Sequence, residues 1–171
     1  MRSMSLAYAA SAVFVLTACR EPDVVAPQQQ LVFQPSQATE LFATHLGGST
    51  PQGQGLFQLG TDASSVGYQL VVANVEDVID AHIHLGPLVS IGPIVIPLSP
   101  SISTAAVDAG GSAGRPIRGI FTADDLIGPL AGEPLSALLQ AMRAGETYVD
   151  IHTSEHPEGE IRGQIRALGP R

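Results

Sequence analysis

Thr147-Tyr-Val-Asp-Ile-His-Thr153 places Val149 and Ile151 on one side of an extended chain and Tyr148, Asp150 and His152 on the other. That is the period-two pattern of a strand with one apolar face, and no helix has it. Asp80-Ala-His-Ile-His-Leu85 repeats the pattern, with His82 and His84 sharing one face and Ile83 on the other, and it is stopped by Gly86-Pro87. Working outward, Leu41–Leu46, Gly55–Leu59, Ser65–Asn74 and Arg118–Phe121 read as further short strands, rich in β-branched and aromatic residues. Gly92–Leu98 is a strand whose prolines confine it to an edge or a bulge, as a dimer seam or a guarded edge. Glu160–Leu168 is read as one final strand, and the Ser-, Ala- and Gly-rich residues 99–115 as a loop.

One segment changes period. Thr122-Ala-Asp-Asp125 has the form of a capping box with Asp in place of Glu, at a helix start. Pro134–Ala144 then carries Leu135, Leu138, Leu139 and Met142 on one helical stripe, closed by Gly145. Such a stripe packs a core and has no chemical role. Short strands separated by turn signals roughly every ten residues predict an all-β fold, mainly antiparallel and Greek-key-like. The expectation is a β-sandwich or partly open barrel with one short helical insert.

Composition narrows the function. The 171 residues contain 44% hydrophobic and 14% charged residues, enough apolar mass for one domain's core. All 8 basic residues are arginine, set against 16 acidic ones. A net charge of −8 argues against nucleic acid as a partner, because phosphate binding needs a basic footprint. There is no Gly-rich phosphate loop, strand–helix alternation or G-x-S-x-G elbow, which removes nucleotide binding and α/β-hydrolase chemistry. A single cysteine excludes an internal disulfide and a thiolate cluster.

That cysteine closes an N-terminal address. Arg2 precedes an apolar stretch, Leu6–Leu16, too short to cross a hydrocarbon core of about 30 Å but suited to a signal peptide. Leu16-Thr-Ala-Cys19 resembles the lipobox of bacterial lipoproteins, which implies cleavage before Cys19 and a lipid on its thiol. An ordinary secretory signal with an incidental cysteine is the other reading. The expected organisation is residues 1–18 as signal peptide, 19–37 as lipidated Cys19 with a Pro- and Gln-rich tether, and 38–171 as the domain. Leu31–Phe33 could add an edge strand. Arg20 replaces the Asp of the inner-membrane retention signal, favouring an extracytoplasmic site at the outer membrane or cell surface.

Four elements in order carry a further resemblance: Ala81-His-Ile-His84 with Gly86; Gly92-Pro-Ile-Val-Ile; Gly145-Glu-Thr-Tyr-Val-Asp-Ile-His-Thr153; and Pro157-Glu-Gly-Glu-Ile-Arg-Gly-Gln-Ile165. Together they resemble the CHRD domain over residues 38 to 168, departing from it at Gly48–Gly53. The resemblance implies a β-sandwich-like extracytoplasmic module with no assigned enzymatic activity. The growth-factor binding of chordin, which gives the domain its name, does not carry over to a chain with a bacterial lipobox.

If the Ile83 and Ile151 faces enter the core, His82, His84 and His152 point away from it and could converge on neighbouring strands. Asp150, Glu160 and Arg162 are placed to support them, so a polar cluster of all six is expected. Two readings stay open. The cluster is a hydrogen-bonded network on an exposed sheet face, with Arg162 paired to Glu160 or Asp150. Alternatively His82, His84 and His152 bind Cu or Zn, both of which imidazole suits. H-x-H on a strand with a later His is also similar to the copper ligation of Cu,Zn superoxide dismutase, whose fold is a second comparison for the sandwich. The likeness stops early, because His45 and His156 read as surface residues and that family's disulfide is impossible here. The expected function is a lipid-anchored envelope module of binding or structural type, no enzyme, with an unknown envelope protein or ligand as partner. The alternative is a metal-binding protein of redox or copper-handling character.

Overall fold

Apolar alternation runs through three consecutive strands, β1 (Glu40–Gly47), β2 (Gln52–Leu59) and β3 (Ser65–Ala73), and these form an antiparallel meander. The computed structural model describes residues 40–47, 50–98 and 116–169, which lie in one compact unit. Cys19, the signal peptide, the tether with Leu31–Phe33 and the loop at 99–115 lie outside the described residues. The remaining strands are β4 (Val78–Leu85), β5 (Ile94–Pro97), β6 (Ile117–Thr122), β7 (Thr147–Thr153), β8 (Ile161–Gln164) and β9 (Arg166–Ala167). They make a five-stranded sheet in the order β6-β3-β2-β1-β9 and a four-stranded sheet in the order β5-β4-β7-β8. All pairings are antiparallel, and among the described residues no barrel closes.

Each sheet turns its apolar face inward. Phe42, Leu46, Phe57, Leu70 and Phe121 come from the first sheet and meet Ala81, Ile83, Ile96, Val149 and Ile151 from the second, all buried. Burial of this apolar area is the main force holding the sheets together. The helix α1 (Leu135–Ala144) adds Leu135, Leu138, Leu139 and Met142 to the same core and ends at Gly145 in the left-handed region (φ 69°). Arg143 near its C-terminus ties it to β1, donating from Nε and Nη2 to the two oxygens of Glu40 at 2.9 and 2.6 Å. Among the described residues no helix is long and apolar enough to cross a membrane.

Three expectations change. The capping box is present, with the Asp125 carboxylate accepting the Thr122 N–H at 2.8 Å, but it starts a 3₁₀ turn at Ala123–Asp125. A second such turn, Gly128–Leu130, intervenes before α1 begins after Pro134. The edge at β5 is guarded, because the Ile127 N–H from between these turns donates to the Val95 carbonyl at 3.0 Å. The final strand is not continuous. Ile165, fully buried, still donates its N–H to Thr147 of the second sheet, whereas Arg166 and Ala167 pair with Ala43 and Phe42 of the first. Apolar and polar residue types still alternate through Ala167 in the sequence, so periodicity there cannot reveal that the partner changes sheet, although burial stops alternating after Ile165. Gly163 makes the crossing sterically possible: any Cβ there would collide with the His45 carbonyl and the Thr44 hydroxyl of β1. The repeated Ile-Arg-Gly at 117–119 uses its glycine differently, to seat the ring of Tyr68.

Candidate metal centre

The register of β4 against β7 builds the site. His82 lies opposite Asp150, His84 opposite Tyr148 and Asp80 opposite His152, so alternate residues of both strands share one outward face. Ile83, Val149 and Ile151 on the other face are fully buried in the core, as the alternation requires. The outward face is not solvated, however. Tyr148, Asp150 and His84 are 0%, 3% and 5% exposed.

The cover is the loop at 86–93, and it is fastened at several points. The Gly86 N–H donates to Glu146, the Leu88 N–H to Gln164 Oε1 (2.9 Å), and the Gly92 N–H to the Tyr148 hydroxyl (3.0 Å). Only glycine fits at 92, because a Cβ there would run into the Leu85 carbonyl. His84 lies flat against the Tyr148 ring, with centroids 4.9 Å apart and planes 9° from parallel.

Four side chains converge on this face. One ligand atom from each of His82, His84, Asp150 and His152 lies within 4.8 Å of the others. Asp150 Oδ1 is 3.0 Å from His84 Nε2, 3.1 Å from His152 Nε2 and 3.8 Å from His82 Nδ1, and the last two nitrogens are 3.2 Å apart. The opposite nitrogen of every ring is already engaged. His84 Nδ1 donates to the Gly92 carbonyl and His152 Nδ1 to the Pro157 carbonyl, each at 2.8 Å. His82 Nε2 faces Asp80 Oδ2 at 3.0 Å. Carbonyl and carboxylate oxygens only accept, so these nitrogens hold the ring protons. In neutral rings three imidazole lone pairs and a carboxylate oxygen then face one another.

Such an arrangement requires positive charge at its centre. Protonation supplies it in part. Burial alone would depress the pKa of His84, but the hydrogen bond to Asp150, the Gly92 carbonyl and the Asp150 charge together raise it above its ordinary value. Burial alone would raise that of Asp150, and the His84 and His152 contacts outweigh it, so its carboxyl lies below the usual range. His82 is pushed down by burial despite Asp80. One divalent cation could also meet all four donors. A tetrahedron of ligands about zinc at 2.0–2.1 Å has edges of about 3.3 Å; four of the six separations are 3.0, 3.1, 3.2 and 3.8 Å, and all six lie within 4.8 Å.

The expected cluster of six is thus a cluster of four. Asp150, expected as support, stands at its centre. Arg162 forms no ion pair with Asp150 or Glu160 among the described residues; its guanidinium carbon sits 5.7 Å from the Tyr148 centroid. Glu160 lines a separate polar pocket with Asn74, Glu76, Asp77, Thr153 and Glu155. It lies just before β8, where its N–H still donates to the Ile151 carbonyl of β7 at 2.8 Å. His45 and His156 are exposed, as expected. Sequence reading missed Asp80, Tyr148 and Gly92. Asp80 was legible, since it shares parity with His82 and His84, whereas the other two depend on where the loop folds.

A model of the CHRD domain family matches residues 30–165. No curated protein and no solved structure matches the chain.

Proposed function

The chain belongs to the CHRD-domain family, and from that premise we propose that it is an extracytoplasmic module, lipid-anchored through Cys19 in a bacterial envelope, which holds one four-coordinate divalent cation of the zinc–copper class. The carrying observation is the convergence of His82 Nδ1, His84 Nε2, His152 Nε2 and an Asp150 oxygen while the opposite nitrogen of each ring is already hydrogen-bonded. Outer partners of this kind fix imidazole tautomers around metals.

Four protein donors fill a tetrahedral ion and leave no open position, which is the arrangement of a structural site and not a catalytic one. The ion therefore staples β4 to β7 and, through Gly92, the covering loop to both. The module binds or scaffolds and has no catalytic role. The Leu16-Thr-Ala-Cys19 motif supports the anchor and the CHRD match an extracellular setting. The outer membrane or cell surface is the favoured location, with an envelope protein or ligand as partner.

Calorimetric titration of the soluble form, starting at residue 20, with Zn(II) and with Cu(II) tests the centre. One equivalent bound, and lost in His84→Ala, is expected; no heat at micromolar protein with either ion would overturn it. For the anchor, Cys19→Ser is expected to release the protein from membranes, and continued membrane partitioning of that variant would contradict lipidation.

A further inference from the structure

Resting on that metal reading, we infer that Asp80 is a positioning residue that makes His82 ligate through Nδ1, the opposite nitrogen from the one His84 and His152 present. The carboxylate is built into place locally. Its Oδ1 accepts the N–H of Ala81 at 2.9 Å, which leaves Oδ2 aimed at His82 Nε2, 3.0 Å away. The register of β4 against β7 shifts between Val78 and Asp80, so the strand is irregular where this carboxylate is set. Asp80 and His82 are two residues apart on one strand face, so no loop has to fold for the pair to form.

The consequence is a division of labour among the three rings. Two backbone carbonyls, on Gly92 and Pro157, hold His84 and His152 with the proton on Nδ1 and present Nε2. For His82 the acceptor is a charged side chain on the other side of the ring, so the proton sits on Nε2 and Nδ1 faces the centre. With the opposite tautomer, His82 would direct an N–H at His152 Nε2 and remove itself from the ligand set. A carboxylate also makes the ring a stronger donor than a carbonyl does. Asp80 is partly exposed and reaches the ligand set through its Oδ2 contact with His82.

The test uses the full chain, extracted in detergent and labelled with ¹⁵N-histidine. Long-range ¹H–¹⁵N correlation spectra of the zinc-loaded protein separate protonated from metal-bound ring nitrogens. The expected pattern is one ligand ring protonated at Nε2, assigned to His82 by its loss in His82→Gln, and two protonated at Nδ1. Asp80→Ala is expected to weaken zinc binding about 10- to 100-fold, with Asp80→Asn intermediate because its amide oxygen can still accept. Three rings all protonated at Nδ1, or zinc affinity within twofold of wild type in Asp80→Ala, would overturn the role of Asp80 and leave the metal centre standing. Failure of the wild-type chain to bind zinc at all would overturn the centre itself. The count of one ring protonated at Nε2 against two at Nδ1 is read on the wild-type chain, so three rings protonated at Nδ1 would overturn the proposal even where a variant folds poorly.

Discussion

Gly92→Ala is a small change that reaches both halves of the proposed centre. The added methyl would overlap the Leu85 carbonyl, a backbone atom that cannot step aside as a side chain would. Residue 92 must therefore shift, and it carries two contacts: its N–H donates to the Tyr148 hydroxyl at 3.0 Å and its carbonyl accepts from His84 Nδ1 at 2.8 Å. Each hydrogen bond contributes about 1 kcal/mol, and overpacking against backbone costs about 1–3 kcal/mol. With both hydrogen bonds lost, the metal-free protein should lose about 3–5 kcal/mol of stability. Zinc affinity should fall about 10- to 100-fold, because His84 loses the acceptor that fixes its tautomer. Urea unfolding of the metal-free protein and a competition titration with a chromophoric chelator measure the two effects. Val89→Ala, 95% exposed on the same loop, is the control and should stay within about 0.5 kcal/mol. A Gly92→Ala protein as stable as the control, with unchanged zinc affinity, would refute the link between loop and ligand.

Gly163→Ala should cost about 2 kcal/mol or more in urea unfolding, because the new Cβ meets the His45 carbonyl where the sheets approach; Gly169→Ala, which would meet nothing within 4 Å, should be nearly silent. Leu138→Ala should cost about 2–5 kcal/mol, since that side chain is fully buried in the core, and a loss below 1 kcal/mol would place the helix elsewhere. Tyr68 should resist ionisation until about pH 12, raised by burial and by the nearby Asp125 charge. Its folded pKa exceeds the unfolded value of about 10, so stability held below pH 10 is lost as pH rises from 10 to 12. Tyr68→Phe should remove that alkaline dependence, followed by urea midpoints across the range.

The sandwich was legible because alternation fixes which face of each strand is buried, and Ile83, Val149 and Ile151 obey it fully. The helix was legible for the same reason at a different period. Parity also placed His82, His84, Asp150 and His152 on one face. What parity cannot supply is the partner beyond the strand. The change of sheet at Ile165 leaves the alternation of residue types in the sequence untouched, and the burial of Tyr148 and His84 depends on a loop that folds back from residues 86–93. Arg162 looked like a partner for Asp150 because they face each other across β7 and β8, yet its guanidinium turns to the Tyr148 ring. Asp150 is instead enclosed by three imidazoles, an arrangement that arises only when two strands and two loops meet.

The most direct test of the centre is anomalous scattering at the zinc edge from crystals soaked in zinc. A single strong peak is expected about 2.0–2.2 Å from His82 Nδ1, His84 Nε2, His152 Nε2 and one Asp150 oxygen. Peaks confined to the exposed His45 and His156, with density between these four residues explained by hydrogen bonds alone, would contradict it.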